Sequence, residues 1–556
     1  MDDFSREVRS RIRLDQKLNQ SKVIGKDEYL KLSDQTVHAA GQPGCYCLEC
    51  LKFRKEDWRV GDVNASVVGP RDQWQMYHWG NGERGALISN DIHDILEPRL
   101  ALPIIENIIV EDSSGRKTSI EREAKFKAVA SGMYHSLLLA ESHQLFVCGD
   151  NSYHALGINT KNNQICTPIS IMTSFPPLTK TKIIAIAATE YASFAIVDKP
   201  REAAEEVEAK EKEALLELTT PVRKKALLTS SDSKDTNEYN RVYSWGRGDK
   251  GVLGHGSNAS VSIPRVVQAL SSYRVTQIAT GRQHVVVLTE HNGLFAFGDG
   301  RYGKLGRGTT DDALEPVHID AFDRFYIAAI GAGNDYSCAL TDNLAARQVF
   351  VWGRGEHGIH GNGDQLDRLK PTRVSALRGK KIRAIACGGN HILALSGNYD
   401  QQYVVDYVFH AAIPTAKNGT NVFAWGHGAY GQLGHRDTWD SLLPRAIDEL
   451  KSEKITSISA GARHSLALTV DGDVWVWGHG LHGYQLQQEA KQDHAIVSLL
   501  YPRRIKLPGI HVIGAVAGRE RTFVWGDRAG YHKSERIALD KSSITGFDRI
   551  SLYRLQ

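Results

Sequence analysis

Short apolar runs with alternating small and β-branched residues recur along this chain, each broken by glycine and followed by a polar, glycine-rich stretch. Ser457–Thr469 reads SISAGARHSLALT, and the same pattern stands at Ala128–Ala140, Gln277–Thr289 and Ala384–Ser396. Weaker copies occupy Ile186–Val197, Ile330–Thr341 and Ala515–Gly526. Two apolar runs of this length around a glycine predict two short strands joined tightly. A second phrase alternates with the first: an aromatic-glycine strand and a glycine-rich loop. It is clearest as VFAWGHGAYGQLG at Val422–Gly434 and returns around Trp79, Trp245, Phe297, Trp352 and Trp477, with a degenerate copy around Cys148. Together the phrases predict about four strands per unit, the content of one propeller blade. Seven units in series predict a closed ring, because exposed sheet edges must be covered or joined.

The aromatic position is expected to be core, with large rings packed between neighbouring blades. The closing strand of the ring is expected from Val63–Val68 or from Ile550–Tyr553. The sequence therefore divides into an N-terminal extension (1–74), a propeller (75–530) carrying insertions at 199–240 and 397–420, and a tail (531–556). Within the first insertion, EAAEEVEAKEKEALLEL at Glu202–Leu218 is rich in helix formers and Glu/Lys pairs, and the polar stretch after it predicts disorder.

Composition narrows the function classes. A formal charge of +4 on 556 residues argues against nucleic acid as the main partner. No apolar run long enough to span a membrane occurs, and the start lacks the apolar region of a secretory signal. Scattered single cysteines in apolar runs (Cys148, Cys338, Cys387) suit a reducing compartment. The expected location is intracellular, foremost the cytoplasm, with cytoskeleton or cilium, mitochondrion and nucleus left open.

Chemistry-bearing constellations are few. The cluster Cys45-x-Cys47-x2-Cys50 offers three thiols but no second CxxC, so zinc there needs a fourth ligand from elsewhere. Otherwise no cofactor is expected. His135, His284, His391 and His464 recur at one repeat position and are expected to bond backbone carbonyls rather than a metal. No phosphate-binding loop, nucleophile elbow or HExxH occurs, so the chain is expected not to be an enzyme. The residues directly after the aromatic-glycine pairs should share one face, where Arg247, Arg354, His427 and His479 form a candidate partner-binding rim. The apolar insert around Tyr403, Val405, Tyr407 and Phe409 is a second candidate, as a hairpin or ledge.

The paired motifs WGxGxxGxLG and AxGxxHSxAL resemble the regulator of chromosome condensation repeat, whose family folds as a seven-bladed β-propeller. The resemblance runs from about Gln75 to Trp525 and implies an all-β fold with an N-terminal extension and a helical or disordered insertion. Family members serve as exchange factors, scaffolds, light sensors and ubiquitin-ligase modules, and fold does not choose among them. Light sensing in the family uses tryptophans at positions that here hold Met133, Glu190, Arg282, Asn334, Gly389, Ala462 and Arg519, so photoreception is not expected. Only the tail 531–556 follows the propeller, so a ligase module is not expected either. Two readings follow. The first is a non-enzymatic scaffold or adaptor binding protein partners within a multi-subunit complex. The second is a nucleotide exchange factor for a Ran-like small GTPase, with Tyr403–Phe409 as its wedge.

Overall fold

A computed structural model describes residues 74–528 apart from 112–116, 161, 172–181, 199–239, 292, 343–346, 398–419, 481–497, 506 and 508. Several expectations lie outside these residues: the cysteine cluster at 45–50, the insert residues 403–409, the helix at 202–218, and both proposed closing strands.

Seven four-stranded antiparallel sheets form the ring of a β-propeller. In order they span residues 126–170 (blade 1), 182–266 (blade 2), 275–318 (blade 3), 327–373 (blade 4), 382–446 (blade 5) and 455–505 (blade 6). Blade 7 joins the two ends of the described chain. Its inner strands are Ile510–Ala517 and Arg521–Arg528, and its outer strands are Trp74–Gly80 and Ile95–Leu100. The joint is a continuous register from Trp74 opposite Asp527 to Gly80 opposite Arg521. Two strands from each side share one hydrogen-bonded sheet, which removes the open edge that an unclosed ring would leave. A further hairpin, Ile105–Glu111 with Lys117–Glu123, stands between blades 7 and 1.

The sequence units are out of phase with the blades. In blade 6, the AGARH phrase supplies the inner two strands (Ile455–Ala460, His464–Thr469), and the following aromatic-glycine phrase supplies the third, Val474–His479. A sequence unit that begins on its aromatic-glycine strand thus gives two strands to one blade and two to the next. The insertions consequently lie inside blades 2 and 5, between their second and third strands, and not between blades.

The aromatic position is core as expected: Trp79, Trp245, Phe297, Trp352, Trp425, Trp477 and Cys148 are all buried. Four of the indoles also reach the preceding blade. Trp245 Nε1 donates to the Ala155 carbonyl, Trp352 to Lys304, Trp425 to Ile359 and Trp477 to Gln432, each at 2.8–2.9 Å. A ring this size stabilises its seam by about 25 cal/mol per Å² of apolar surface removed from water, and the indole hydrogen bond fixes its direction.

Candidate functional site

The recurrent histidines do not bond carbonyls through Nε2; they staple blades. His135 Nε2 lies 3.0 Å from Ser193 Oγ in the next blade, His284 2.9 Å from Ser337, His391 2.8 Å from Ser465, and His464 3.1 Å from Thr522 Oγ1. The hydroxyls of Ser193, Ser337 and Ser465 donate onward to the carbonyls of Ala155, Lys304 and Gln432. Their protons are thus committed, so the imidazole Nε2–H is the donor. Burial pushes His135, His284 and His391 from 6.5 down to about 3, leaving them neutral.

In blades 4 and 7, where the histidine is absent, a substitute closes the seam. Tyr336 places its hydroxyl 2.9 and 2.7 Å from the Gly388 and His391 carbonyls. Arg521, fully buried, closes the seam of blades 7 and 1 by donating to the Asn81, Gly132 and Met133 carbonyls and to Ser131 Oγ.

Antiparallel order places the first turn and the glycine-rich loop of every blade on one face of the ring. The residue after each aromatic-glycine pair is fixed there by a repeated bond: its N–H donates to the carbonyl of the residue preceding the staple position. Arg247 bonds Tyr191, Arg354 bonds Asp335, His427 bonds Asn390 and His479 bonds Arg463, at 2.8–3.0 Å. The four rim candidates therefore share one face, in blades 2, 4, 5 and 6.

Around them runs a belt of arginines and rings that single positions in the sequence do not disclose. The Arg247 guanidinium stands 4.9 Å from the Tyr153 ring and 5.5 Å from Tyr191. Arg354 covers Tyr302 at 4.9 Å, Arg84 covers Tyr134 at 4.7 Å and Arg463 covers Tyr430 at 4.8 Å. Tyr430 also touches His427 and His479, at 5.5 and 5.2 Å between ring centres. Apart from Tyr191, which shares blade 2 with Arg247, each tyrosine and its arginine come from neighbouring blades, so only folding assembles these pairs. The one available signal was the recurrence of Tyr at the position before the loop glycine, in Tyr302 and Tyr430.

Charge on this face is layered. Asp150, Glu190 and Asp299 carry side chains 7%, 5% and 0% exposed, whereas their partners Arg84, Arg282 and Arg301 are 44%, 51% and 57% exposed, at 2.8–3.0 Å. Lys304 lies beneath them, wholly buried between Asp299 (2.6 Å) and Asp335 (2.7 Å). In these three pairs the carboxylate sits below and the guanidinium meets solvent, while Asp249 and Glu520 on the same face are themselves exposed. The inner strands enclose a central channel of about 320 Å³. Glu190, Arg282, Asn334, Gly389, Ala462 and Arg519 line it, with Arg519 also reaching Glu190 at 3.5 Å.

Comparison with known proteins agrees with the geometry. The model for the "Regulator of chromosome condensation (RCC1) repeat" matches residues 239–288, 291–340, 348–395 and 421–468, and a second model of that description matches 126–155, 275–304 and 455–483. The chain belongs to the RCC1-repeat β-propeller family. It is similar to the ultraviolet-B receptor UVR8 of Arabidopsis thaliana, 33% identical over 51% of this chain and 60% of that protein. It is also similar to the E3 ubiquitin-protein ligase HERC2 of Mus musculus, 32% identical over 52% of this chain but 6% of that protein. The match thus spans less than two thirds of either relative. Among solved structures, Prp20p of Saccharomyces cerevisiae superposes with a TM-score of 0.58 at 21% identity, covering 86% of this chain and 96% of that one. This likeness shows the propeller fold. RCC1-like relatives support a protein-interaction or regulatory role. No helix among the described residues is long and apolar enough to cross a membrane.

Proposed function

We propose that this protein is a non-enzymatic interaction module, a scaffold or adaptor within a larger assembly, whose glycine-loop face receives an acidic surface of a protein partner. Two features of this face carry the reading: guanidiniums held over buried carboxylates at Arg84, Arg282 and Arg301, and guanidiniums laid against tyrosine rings at Arg84, Arg247 and Arg463. Arginine and tyrosine are the residue types that dominate binding energy at protein interfaces. Pre-ordered guanidiniums lose little freedom on docking. The test removes two exposed pairs, Tyr153→Ala with Arg247→Ala and Tyr430→Ala with Arg463→Ala, and captures partners from the source cells with the full chain. Their acidic neighbours Asp249 and Glu520 are solvent-exposed, so no buried charge is stranded. The expected result is loss of a stoichiometric partner at unchanged melting temperature, and weaker recovery of that partner by wild type as salt rises. Full retention by both variants overturns the reading.

A second reading, nucleotide exchange on a Ran-like small GTPase, is favoured by one observation. The paired strands Ile105–Glu111 and Lys117–Glu123 stand outside the seven blades as a candidate wedge, held by buried Glu106 bonding Arg122 at 2.7 Å and Ser142. The similar fold of Prp20p is described with its binding to Gsp1p and histones. If the protein leaves the release of fluorescent GDP from such a GTPase unaccelerated, this reading falls.

A further inference from the structure

We propose that His357, His427 and Asp440 form a zinc site on the glycine-loop face, bridging blades 4 and 5. Their candidate ligand atoms lie within 4.8 Å of one another. His357 belongs to the loop of blade 4, at a left-handed backbone position (φ 62°) that carries its side chain across the seam. Its Nδ1 meets Asp440 Oδ2 of blade 5 at 2.7 Å. Asp440 is held in place by its other oxygen, which accepts the Gly428 N–H at 2.9 Å. His427 stacks on His357 with ring centres 4.0 Å apart.

The same place two blades earlier pairs this carboxylate with a cation. There Lys250, at the position of His357, sets its ammonium 3.0 Å from Oδ2 of Asp312, the counterpart of Asp440. The seam of blades 4 and 5 keeps the carboxylate and replaces the fixed cation with imidazoles. An exogenous cation that prefers nitrogen donors restores the charge.

The lone pairs needed are at hand. The Gln432 side-chain oxygen is taken by the Tyr430 N–H at 2.9 Å, which turns its amide nitrogen to His427 Nδ1 at 3.3 Å. That long contact marks Nδ1 as the unprotonated nitrogen, and zinc takes it by displacing the amide. At His357, zinc replaces the proton shared with Asp440. Tetrahedral bonds of about 2.0–2.1 Å place ligand atoms roughly 3.3 Å apart. The His357–Asp440 pair must therefore open slightly and His427 must swing inward, movements open to loop side chains at the surface. Two imidazoles and a carboxylate select zinc over magnesium or calcium, and three protein ligands leave a fourth position open. A carboxylate or imidazole of a docked protein can complete it.

The experiment titrates the full, tag-free, chelator-treated chain with zinc by calorimetry. The variants are His427→Ala, Asp440→Asn and the triple Cys45→Ser/Cys47→Ser/Cys50→Ser. Asp440→Asn keeps the acceptor for Gly428 and so preserves the loop. One zinc per chain survives in the cysteine variant, and His427→Ala and Asp440→Asn each weaken it by about tenfold or more. Cobalt bound to the cysteine variant shows no thiolate charge-transfer band, and magnesium gives no heat. The proposal is overturned if zinc binds His427→Ala and Asp440→Asn as tightly as wild type, or if the cysteine variant binds none.

Discussion

Replacing the His391–Ser465 staple by His391→Ala/Ser465→Val should destabilise the ring at neutral pH yet do so much less in mild acid. The variant copies the seam of blades 2 and 3, where Ala192 and Val285 stand at the corresponding places. At pH 7.5 the loss of a buried imidazole and its bond costs about 3 kcal/mol, mostly through the space left behind. Acid acts on wild type in the opposite sense to a histidine that gains an ion-pair partner. The folded pKa of His391 is about 3, pushed down by burial and then by His427, against 6.5 unfolded. Above pH 6.5 neither state is protonated and the group is neutral for stability. Below it the unfolded chain gains a proton that the fold refuses, so stability falls by about 1.4 kcal/mol per pH unit down to about pH 3. Between pH 7.5 and 5.0 that is about 2 kcal/mol from this residue alone. The difference between wild type and variant should shrink from about 3 to about 1 kcal/mol. Guanidinium unfolding followed by tryptophan fluorescence at the two pH values measures it, and effects common to both proteins cancel. An equal or larger difference at pH 5.0 would mean that His391 is charged or hydrated in the fold, and the staple argument would be wrong.

Three further outcomes follow from buried charge. Arg521→Ala strands several acceptors at the closing seam and should cost about 4 kcal/mol, opening blades 7 and 1 to limited proteolysis; Arg521→Lys, lacking the planar fork, should recover less than half. Lys304→Met removes the buried cation between Asp299 and Asp335, leaving Asp299 to Arg301 and Asp335 to Arg354 at 3.9 Å, and should cost about 3–5 kcal/mol in thermal or denaturant unfolding at neutral pH. Both carboxyls are held below their usual range, opposed by desolvation but driven by Lys304 and, at Asp299, Arg301. Their contribution is present above about pH 4 and lost below it, so the Lys304→Met deficit should narrow in strong acid. Glu106→Ala should lower amide protection over the hairpin Ile105–Glu123 on the order of tenfold, measured by hydrogen exchange, with the blades unchanged.

The strands and the aromatic core were legible because both depend on local periodicity and on burial of large rings. The glycine-histidine phrase was legible as a motif but not as a mechanism. A Cβ on Gly388 would lie 2.2 Å from His391 Cε1, so the imidazole needs a glycine three residues earlier. Blade 2 shows the rule in reverse. Its staple residue is Ala192, the glycine place is held by Thr189, and the hydroxyl place across the seam is held by Val285. All three parts are lost together, a signal present in the chain but readable only once the seam pairs residues 53–74 positions apart. The phase of the blades was hidden for a different reason. A cyclic repeat has no intrinsic start, and the start is set by which strands close the ring, here two from each side of blade 7.

That phase decides where the insertions go, and with them how the protein can be used. Asp198 and Asn240 bound the first insertion, Gly397 and Thr420 the second, each pair at the link between second and third strands. In an antiparallel blade this link lies opposite the first turn and the glycine-rich loop. Both insertions therefore leave and rejoin the ring on the face away from the arginine-tyrosine belt. The hairpin Ile105–Glu123, which links an outer strand to the next inner strand, belongs to that same far face. The two faces carry different chemistry on opposite sides of a rigid sheet ring, so partners docked on them should not compete. Replacing 203–237 with a short glycine-serine link should leave capture through the belt intact while removing any partner that the far face holds. Loss of the belt partner in that variant would show that the insertion reaches around the ring, and the division into two independent faces would fail.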